Sequence, residues 1–249
     1  MTSAQFVVPG IAAFAAGALN SVAGGGSFLS FPALLFAGVP AISANATNNA
    51  AMWVGTIGSA RGYREEIAEH RGLLLPVVWV SLAGSLIGAS LLLLTPQTLF
   101  ERMIPWLLLF ATVVFAASPR LTKGATAAPR HAPWQIAVQF FVAIYGGYFG
   151  AGMGILMLAV LAFTGLPSFN AQNAIKNVLA VSINGIALVP FVLARVIDWR
   201  FAFPMAAIAL LGGYCGARFF RRMPQRFARA LVVAIGATMT IVFFARYFT

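Results

Sequence analysis

Asn20-Ser21-Val22-Ala23-Gly24-Gly25-Gly26-Ser27, an apolar run through Phe31-Pro32, Gly38-Val39-Pro40, then Ala44-Asn45-Ala46-Thr47-Asn48-Asn49: this chain states that order twice. About 128 residues later it returns as Gly150-Ala151-Gly152-Met153-Gly154, a second short apolar run, Gly165-Leu166-Pro167 and Gln172-Asn173-Ala174-Ile175-Lys176-Asn177. A glycine cluster, a short apolar piece, a Gly-x-Pro turn and a polar helix start recur together. The chain reads as an internal repeat, and the rest of the reading works outward from it.

The medium comes next. Of 249 residues, 61% are hydrophobic and 8% charged, and the mean hydropathy is +0.90. A soluble domain has about a quarter of its residues charged. Too little polar surface exists here to cover a fold in water, so an integral membrane protein is expected. The apolar runs are roughly 20 residues long, the length of spanning helices. The short alternating segments of a barrel do not occur. A net charge of +11 raises the question of nucleic acid, but no soluble face is left to carry a basic patch. The excess fits the bias of membrane proteins toward basic cytoplasmic loops. A single cysteine, Cys215, excludes an intrachain disulfide and a Cys-rich metal site. The N-terminal apolar run lacks a basic leader and a cleavage site, so it is read as a retained span.

Apolar windows predict spans at 4–23, 41–61, 73–95, 99–117, 134–150, 169–194, 200–218 and 228–247. Two further pieces, 27–38 and 153–164, are about a dozen residues each and would cover roughly 18 Å, against a hydrocarbon core of ~30 Å. The expected fold is an all-α integral membrane protein of two inverted-topology repeats, with about eight full transmembrane helices and two short broken or re-entrant ones. The units are 1–118, a linker at 119–133, and 134–249.

Charge sets the direction. Arg61, Arg64 and Arg71 lie in one connection, Arg120, Lys123 and Arg130 in the linker, and Arg218, Arg221, Arg222, Arg226 and Arg229 around the last connection. These eleven of sixteen basic residues should be cytoplasmic, against Arg102, Arg195, Arg200 and Arg246 elsewhere. The helix that starts at the Asn45 cluster then runs inward and its counterpart at Gln172 runs outward. Both termini are expected on the outer side of the cell inner membrane.

With Asn20–Gly26, Phe31-Pro32, Gly38-Val39-Pro40 and Ala44–Asn49 echoed by Gly147–Gly154 and Gly165–Asn177, the chain resembles the TauE/SafE sulfite exporter family along essentially its whole length. The resemblance implies a transporter of small anions, commonly sulfite, thiosulfate or organosulfonates, with carboxylates carried by other members. The second copy departs from the pattern: Met153 stands for the middle glycine and Val160 for Pro32. Its break is therefore expected to be less sharp.

The residues themselves point to anion binding. Gly24, Gly25 and Gly26 with Gly150, Gly152 and Gly154 either pack helices closely or interrupt them, leaving amides to face protein, water or ligand. An amide cluster at a half-helix N-terminus attracts anions. No Lys-Ser or Lys-Thr follows at P-loop spacing. Lys176 is the ionisable residue placed well inside a span, about two turns into its helix. At depth it costs about 2.5–3.5 kcal/mol and needs a partner, unless it snorkels to the interface. Glu65, Glu66, Glu69, Glu101 and Asp198 all fall in loops or span ends, so an anionic substrate is the expected partner.

Asn45, Thr47, Asn48, Asn49, Gln172, Asn173 and Asn177 are more polar groups than capping requires. With Asn20, Ser21 and Ser27 across the repeat interface they are expected to bind a tetrahedral oxyanion. Asn184 and Ser182 are read as lining an exit or bonding a neighbour, and Tyr148 as a gate or an interfacial ring.

His70 and His131 are loop residues without partners at catalytic or ligand spacing, so no enzyme, cofactor or metal is expected. The chain lacks intramembrane acids for a proton relay. An anion leaving a negative-inside cell gains about 2.3 kcal/mol per charge per 100 mV, so export needs no coupled ion. The sequence thus predicts alternating-access export of a small anion through the lipid bilayer, without nucleic acid, as a monomer or homodimer. A carboxylate importer and a non-transporting membrane scaffold are the alternatives.

Overall fold

The computed structural model describes residues 4–22, 24–70, 74–121, 133–219 and 225–248, and all its regular structure is helical. The helices are α1 (Ala4–Val22), α2 (Ser27–Phe36), α3 (Ala41–Gly62), α4 (Arg64–Glu69), α5 (Leu74–Leu94), α6 (Gln97–Leu121), α7 (Pro133–Tyr148), α8 (Met153–Leu161), α9 (Phe169–Leu193), α10 (Trp199–Phe219) and α11 (Gln225–Phe248). Most of the 119–133 linker, with Lys123, Arg130 and His131, lies outside the described residues, as do Arg71, Arg221 and Arg222.

Five stretches are long and apolar enough to cross a membrane: Pro76–Leu94, Gln97–Val114, Phe169–Leu193, Trp199–Phe219 and Ala230–Phe248. The remaining three expected spans fall short for local reasons. α3 has the length, 22 residues, but its Asn45–Asn49 cluster makes it polar. α7 has 16 residues, and the apolar part of α1 is Phe6–Val22. The connection after α3, expected to be a loop, contains α4. Its Arg-Glu-Glu-Ile-Ala-Glu sequence is made of helix formers with acids in the first turn, and Ile67 packs onto Tyr63, Ala174 and Ala217.

Small residues decide which helices pair. Gly17 of α1 faces Ala209 and Gly213 of α10, and Gly55, Gly58 and Gly62 of α3 face Ala209, Leu210 and Ala217 of the same helix. α10 is thereby held between α1 and α3. In the same way α5 lies between α7 and α9: Gly84 and Gly88 meet Phe140 and Ile144 of α7, and Ser85 Oγ donates to Ile183 O of α9 at 2.7 Å. Glycine removes the Cβ that would keep the backbones apart.

α6 packs against α11, with Trp106 on Phe244 and Thr112 beside Gly236. α3 crosses α9, where Asn49 Nδ2 donates to Asn184 Oδ1 (3.2 Å) and Trp53 Nε1 to Val181 O (3.1 Å). Numbers rise along α3 while they fall along α9, so these two helices are antiparallel.

Outward-facing positions are apolar, as a lipid-contacting surface requires: Trp79, Leu94, Phe141, Leu193 and Phe203 are all at least 66% exposed. Phe28, Phe31, Phe100 and Phe149 are fully buried, with Phe31 edge-on to Phe149 at 5.4 Å.

Candidate functional site

Two chain breaks build the site. α1 stops at Val22, where Gly24 takes a left-handed conformation (φ +80°) and sends its N–H back to Leu19 O at 3.1 Å. α7 stops at Tyr148, where Gly150 (φ +74°) does the same to Tyr145 O at 3.2 Å. Each break turns the chain into a half-length helix. α2 has 10 residues and α8 has 9, about 14–15 Å each.

The second break, expected to be softer because of Met153, is as sharp as the first, since Gly152 is also left-handed (φ +81°) and α8 begins at Met153. The two breaks touch: a Cβ on Gly24 would stand 2.7 Å from the Gly154 carbonyl carbon, and one on Gly154 would stand 2.8 Å from Gly24 Cα.

A cavity opens beside this crossing, lined by both breaks and by one face each of α3 and α9. The volume open to the centre of a water-sized sphere is about 30 Å³. One water needs at least about 10–15 Å³ on that measure, so there is room for about two. The N-termini of α2 and α8 come to the cavity through Ser27, Met153 and Gly154, and both N-cap residues, Gly26 and Gly152, are glycines with no side chain to close the helix. Unclosed helix starts carry partial positive charge.

Lys176 lies at the same place, 1% exposed. Its ammonium donates to Asn20 O (2.5 Å) and to Asn173 Oδ1 (2.9 Å). Asn20 sits at the end of α1, so the ammonium satisfies one of that helix's terminal carbonyls and faces its negative dipole end. No carboxylate among the described residues pairs with it. Snorkelling is thus replaced by a buried contact between the two halves of the chain.

The expected site residues separate into two groups. Asn20, Gly24, Ser27, Asn48, Asn49, Gly150, Gly154, Lys176 and Asn177 line the cavity. The others lie outside its lining. Ser21 Oγ bonds Ala18 O within α1, and Asn45 Nδ2 donates to Tyr148 O across the halves. Thr47 Oγ1 accepts the Asp198 amide ahead of α10, where the Arg200 side chain holds the Asp198 carboxyl below its ordinary range. Tyr148 OH lies 3.2 Å from Thr95 Oγ1, away from the cavity.

Asn173 reaches the cavity only through Lys176, Gln172 is half-buried, and Gly25 and Gly26 pack against Val232 and Ala16. The expectation of freed glycine amides is also narrowed. Besides Gly24 and Gly150, the Gly26 N–H is bonded, to Asn20 Oδ1 at 2.8 Å.

Met52, Thr56, Phe149, Met153 and Ala180 line the cavity without having been expected there, and Asn184 both lines it and bonds Asn49. Ser182 instead bonds Val178 O in its own helix. A signal for the missed residues was present. On α3 the lining positions are 48, 49, 52 and 56, and on α9 they are 176, 177, 180 and 184. Each set is one helical stripe, and the two sets differ by a constant 128.

A membrane protein with a buried polar cavity at two chain breaks has clear relatives. The family sequence model described as sulfite exporter TauE/SafE matches residues 10–243. The chain belongs to the TauE/SafE family. Among its relatives is a probable membrane transporter protein of Haemophilus influenzae, 29% identical over 231 residues, covering 91% of this chain and 89% of that one. A probable membrane transporter protein of a Sinorhizobium species is 26% identical, covering 93% and 89%. The probable membrane transporter protein YfcA of Escherichia coli K12 is 27% identical, covering 92% and 85%. No solved structure matches the chain. This TauE/SafE member is a multi-pass membrane transporter by family, and not an enzyme.

Proposed function

We propose that this protein is a secondary transporter of the cell inner membrane that exports small sulfur oxyanions, of the sulfite and organosulfonate type, by alternating access. The anion is held near mid-membrane between two inverted repeats, 1–118 and 134–249. The observation that carries the reading is Lys176, buried at 1% exposure beside two uncapped half-helix starts in a polar cavity. A cation and helix N-termini converging on one enclosed space favour a negative solute.

Three features support the repeat. α3 and α9 cross antiparallel, their lining positions differ by one constant, and α10 and α5 are each clasped by two helices of the opposite half. If each half supplies the clasp for the other, rocking one against the other exposes the cavity to alternate sides.

Export follows from the charge of the cargo. In proteoliposomes loaded with sulfite at a fixed internal pH, an inside-negative potential should accelerate efflux, and a change of external pH alone should leave the initial rate unchanged. Proton-driven flux that ignores voltage would overturn the uniport mechanism. The orientation has its own check, in a Cys215→Ser background. Thr2→Cys and Thr249→Cys should react with an impermeant thiol reagent on intact cells, whereas Arg64→Cys should react only after permeabilisation. Termini on opposite sides would rule out the inverted arrangement.

A further inference from the structure

We propose that the cavity selects small anions of a single negative charge that can also donate a hydrogen bond, and that it discriminates against dianions and zwitterions. The inference rests on reading the cavity as the transport site. Among its lining residues the one charged side chain is Lys176. Two of the three N–H groups of the protonated side chain are used, both on uncharged oxygens, Asn20 O and Asn173 Oδ1, so one donor remains for a ligand and no protein anion offsets the positive charge.

Two more lining residues are incompletely satisfied: Asn177 Nδ2 is a buried donor without a partner, and Asn49 Oδ1 a buried acceptor without one. Asn177 is 1% exposed and Asn49 7%. Buried polar atoms normally have partners, so these two mark positions for a ligand that offers both an acceptor and a donor.

Charge balance narrows the class. A monoanion makes the enclosed site neutral. A dianion such as sulfate or thiosulfate leaves a net negative charge away from water, which is strongly unfavourable. A zwitterion such as taurine brings an ammonium that needs an acid. No carboxylate lines the cavity, and Lys176 repels it.

Size narrows it further, since about two waters' worth of space admits an anion of a few heavy atoms. Hydrogen sulfite, with three oxygens for the donors and a proton for Asn49, satisfies every group. Methanesulfonate and formate satisfy the charge but not the acceptor.

Competition on the wild-type protein tests this. Proteoliposomes would be assayed for counterflow of labelled methanesulfonate at constant ionic strength, with unlabelled formate, sulfate, taurine and sulfite as competitors. At a pH where its monoanion dominates, sulfite should compete more strongly than methanesulfonate or formate, which bring no donor, while sulfate and taurine should compete at least about tenfold more weakly than methanesulfonate itself. Sulfite should lose potency as the pH rises and its monoanion gives way to the dianion.

Sulfate or taurine competing as well as methanesulfonate would overturn the charge selection while leaving the transport site standing. Sulfite competing no better than formate or methanesulfonate, or a sulfite potency relative to methanesulfonate that ignores pH, would overturn the requirement for a protonated monoanion. Absence of any counterflow, with no competitor-sensitive binding to the same protein, would remove the transport-site reading and the inference together.

Discussion

Lys176→Met is expected to abolish anion-induced thermal stabilisation and to cut anion flux by about 100-fold or more, which corresponds to about 2.8 kcal/mol. The magnitude follows from what the ammonium offers. A charge-assisted hydrogen bond is worth about 1.5–3 kcal/mol, and removing one member of a buried ion pair costs about 3–5 kcal/mol. On the proposed reading Lys176 forms that pair with the bound anion, and no other lining residue carries charge to replace it.

The ligand-free protein should survive the change. Methionine is close in length and apolar, and it removes a buried cation that costs about 2.5–3.5 kcal/mol in a membrane. Against this, the variant leaves Asn20 O and Asn173 Oδ1 without their partner, a loss of about 1–3 kcal/mol each. The two effects nearly offset, so the melting temperature without ligand should shift little. The measurement is a pair of melting curves, with and without sulfite, alongside flux. If Lys176→Met keeps the sulfite-induced shift, Lys176 is only a cap on α1 and the anion binds elsewhere.

That alternative shows what sequence reasoning could and could not reach. Helix boundaries were legible because apolar runs and glycine clusters mark them directly. The windows 169–194 and 200–218 correspond to α9 (Phe169–Leu193) and α10 (Trp199–Phe219). The place of Lys176 two turns into α9 was legible for the same reason.

Its partner was not. A search for charge complements considers carboxylates, and the actual complement is a main-chain carbonyl at the end of α1, 156 residues away. The polar cluster on α3 was legible as a cluster, but not as a division of labour. Asn45 and Asn49 lie four residues apart on one face, yet Asn45 is a turn nearer the start of α3 and meets the Tyr148 carbonyl, while Asn49 reaches the cavity. Composition cannot distinguish a hydrogen bond to a neighbouring backbone from one reserved for a ligand. The constant shift of 128 between the two lining stripes could have separated them, because it picks out the same helical face on α3 and α9 whatever the side chains are. By that shift Lys176 corresponds to Asn48, and the single charge of the cavity is where the two stripes differ.

Gly24→Ala should be more damaging than Gly38→Ala or Gly154→Ala, because two independent penalties meet at Gly24. Gly24 has φ +80°, where a residue with a Cβ is strained by about 1–3 kcal/mol. Its Cβ would also stand 2.7 Å from the Gly154 carbonyl carbon, backbone that cannot rotate aside. Overpacking of this kind costs about 1–3 kcal/mol more.

Gly38→Ala is the matched control. Gly38 is left-handed as well, with φ +89°, but nothing lies within 4 Å of its Cβ position, so only the strain applies. The Gly154→Ala variant supplies the converse, with a contact 2.8 Å from Gly24 Cα and no positive φ. Thermal unfolding in detergent should therefore rank Gly24→Ala below both single-penalty variants, with flux lost wherever the two breaks are forced apart. Equal melting temperatures for Gly24→Ala and Gly38→Ala would mean that the breaks do not press together in the membrane. The two halves would then meet somewhere other than at Gly24 and Gly154, and the cavity beside that crossing would lose its frame.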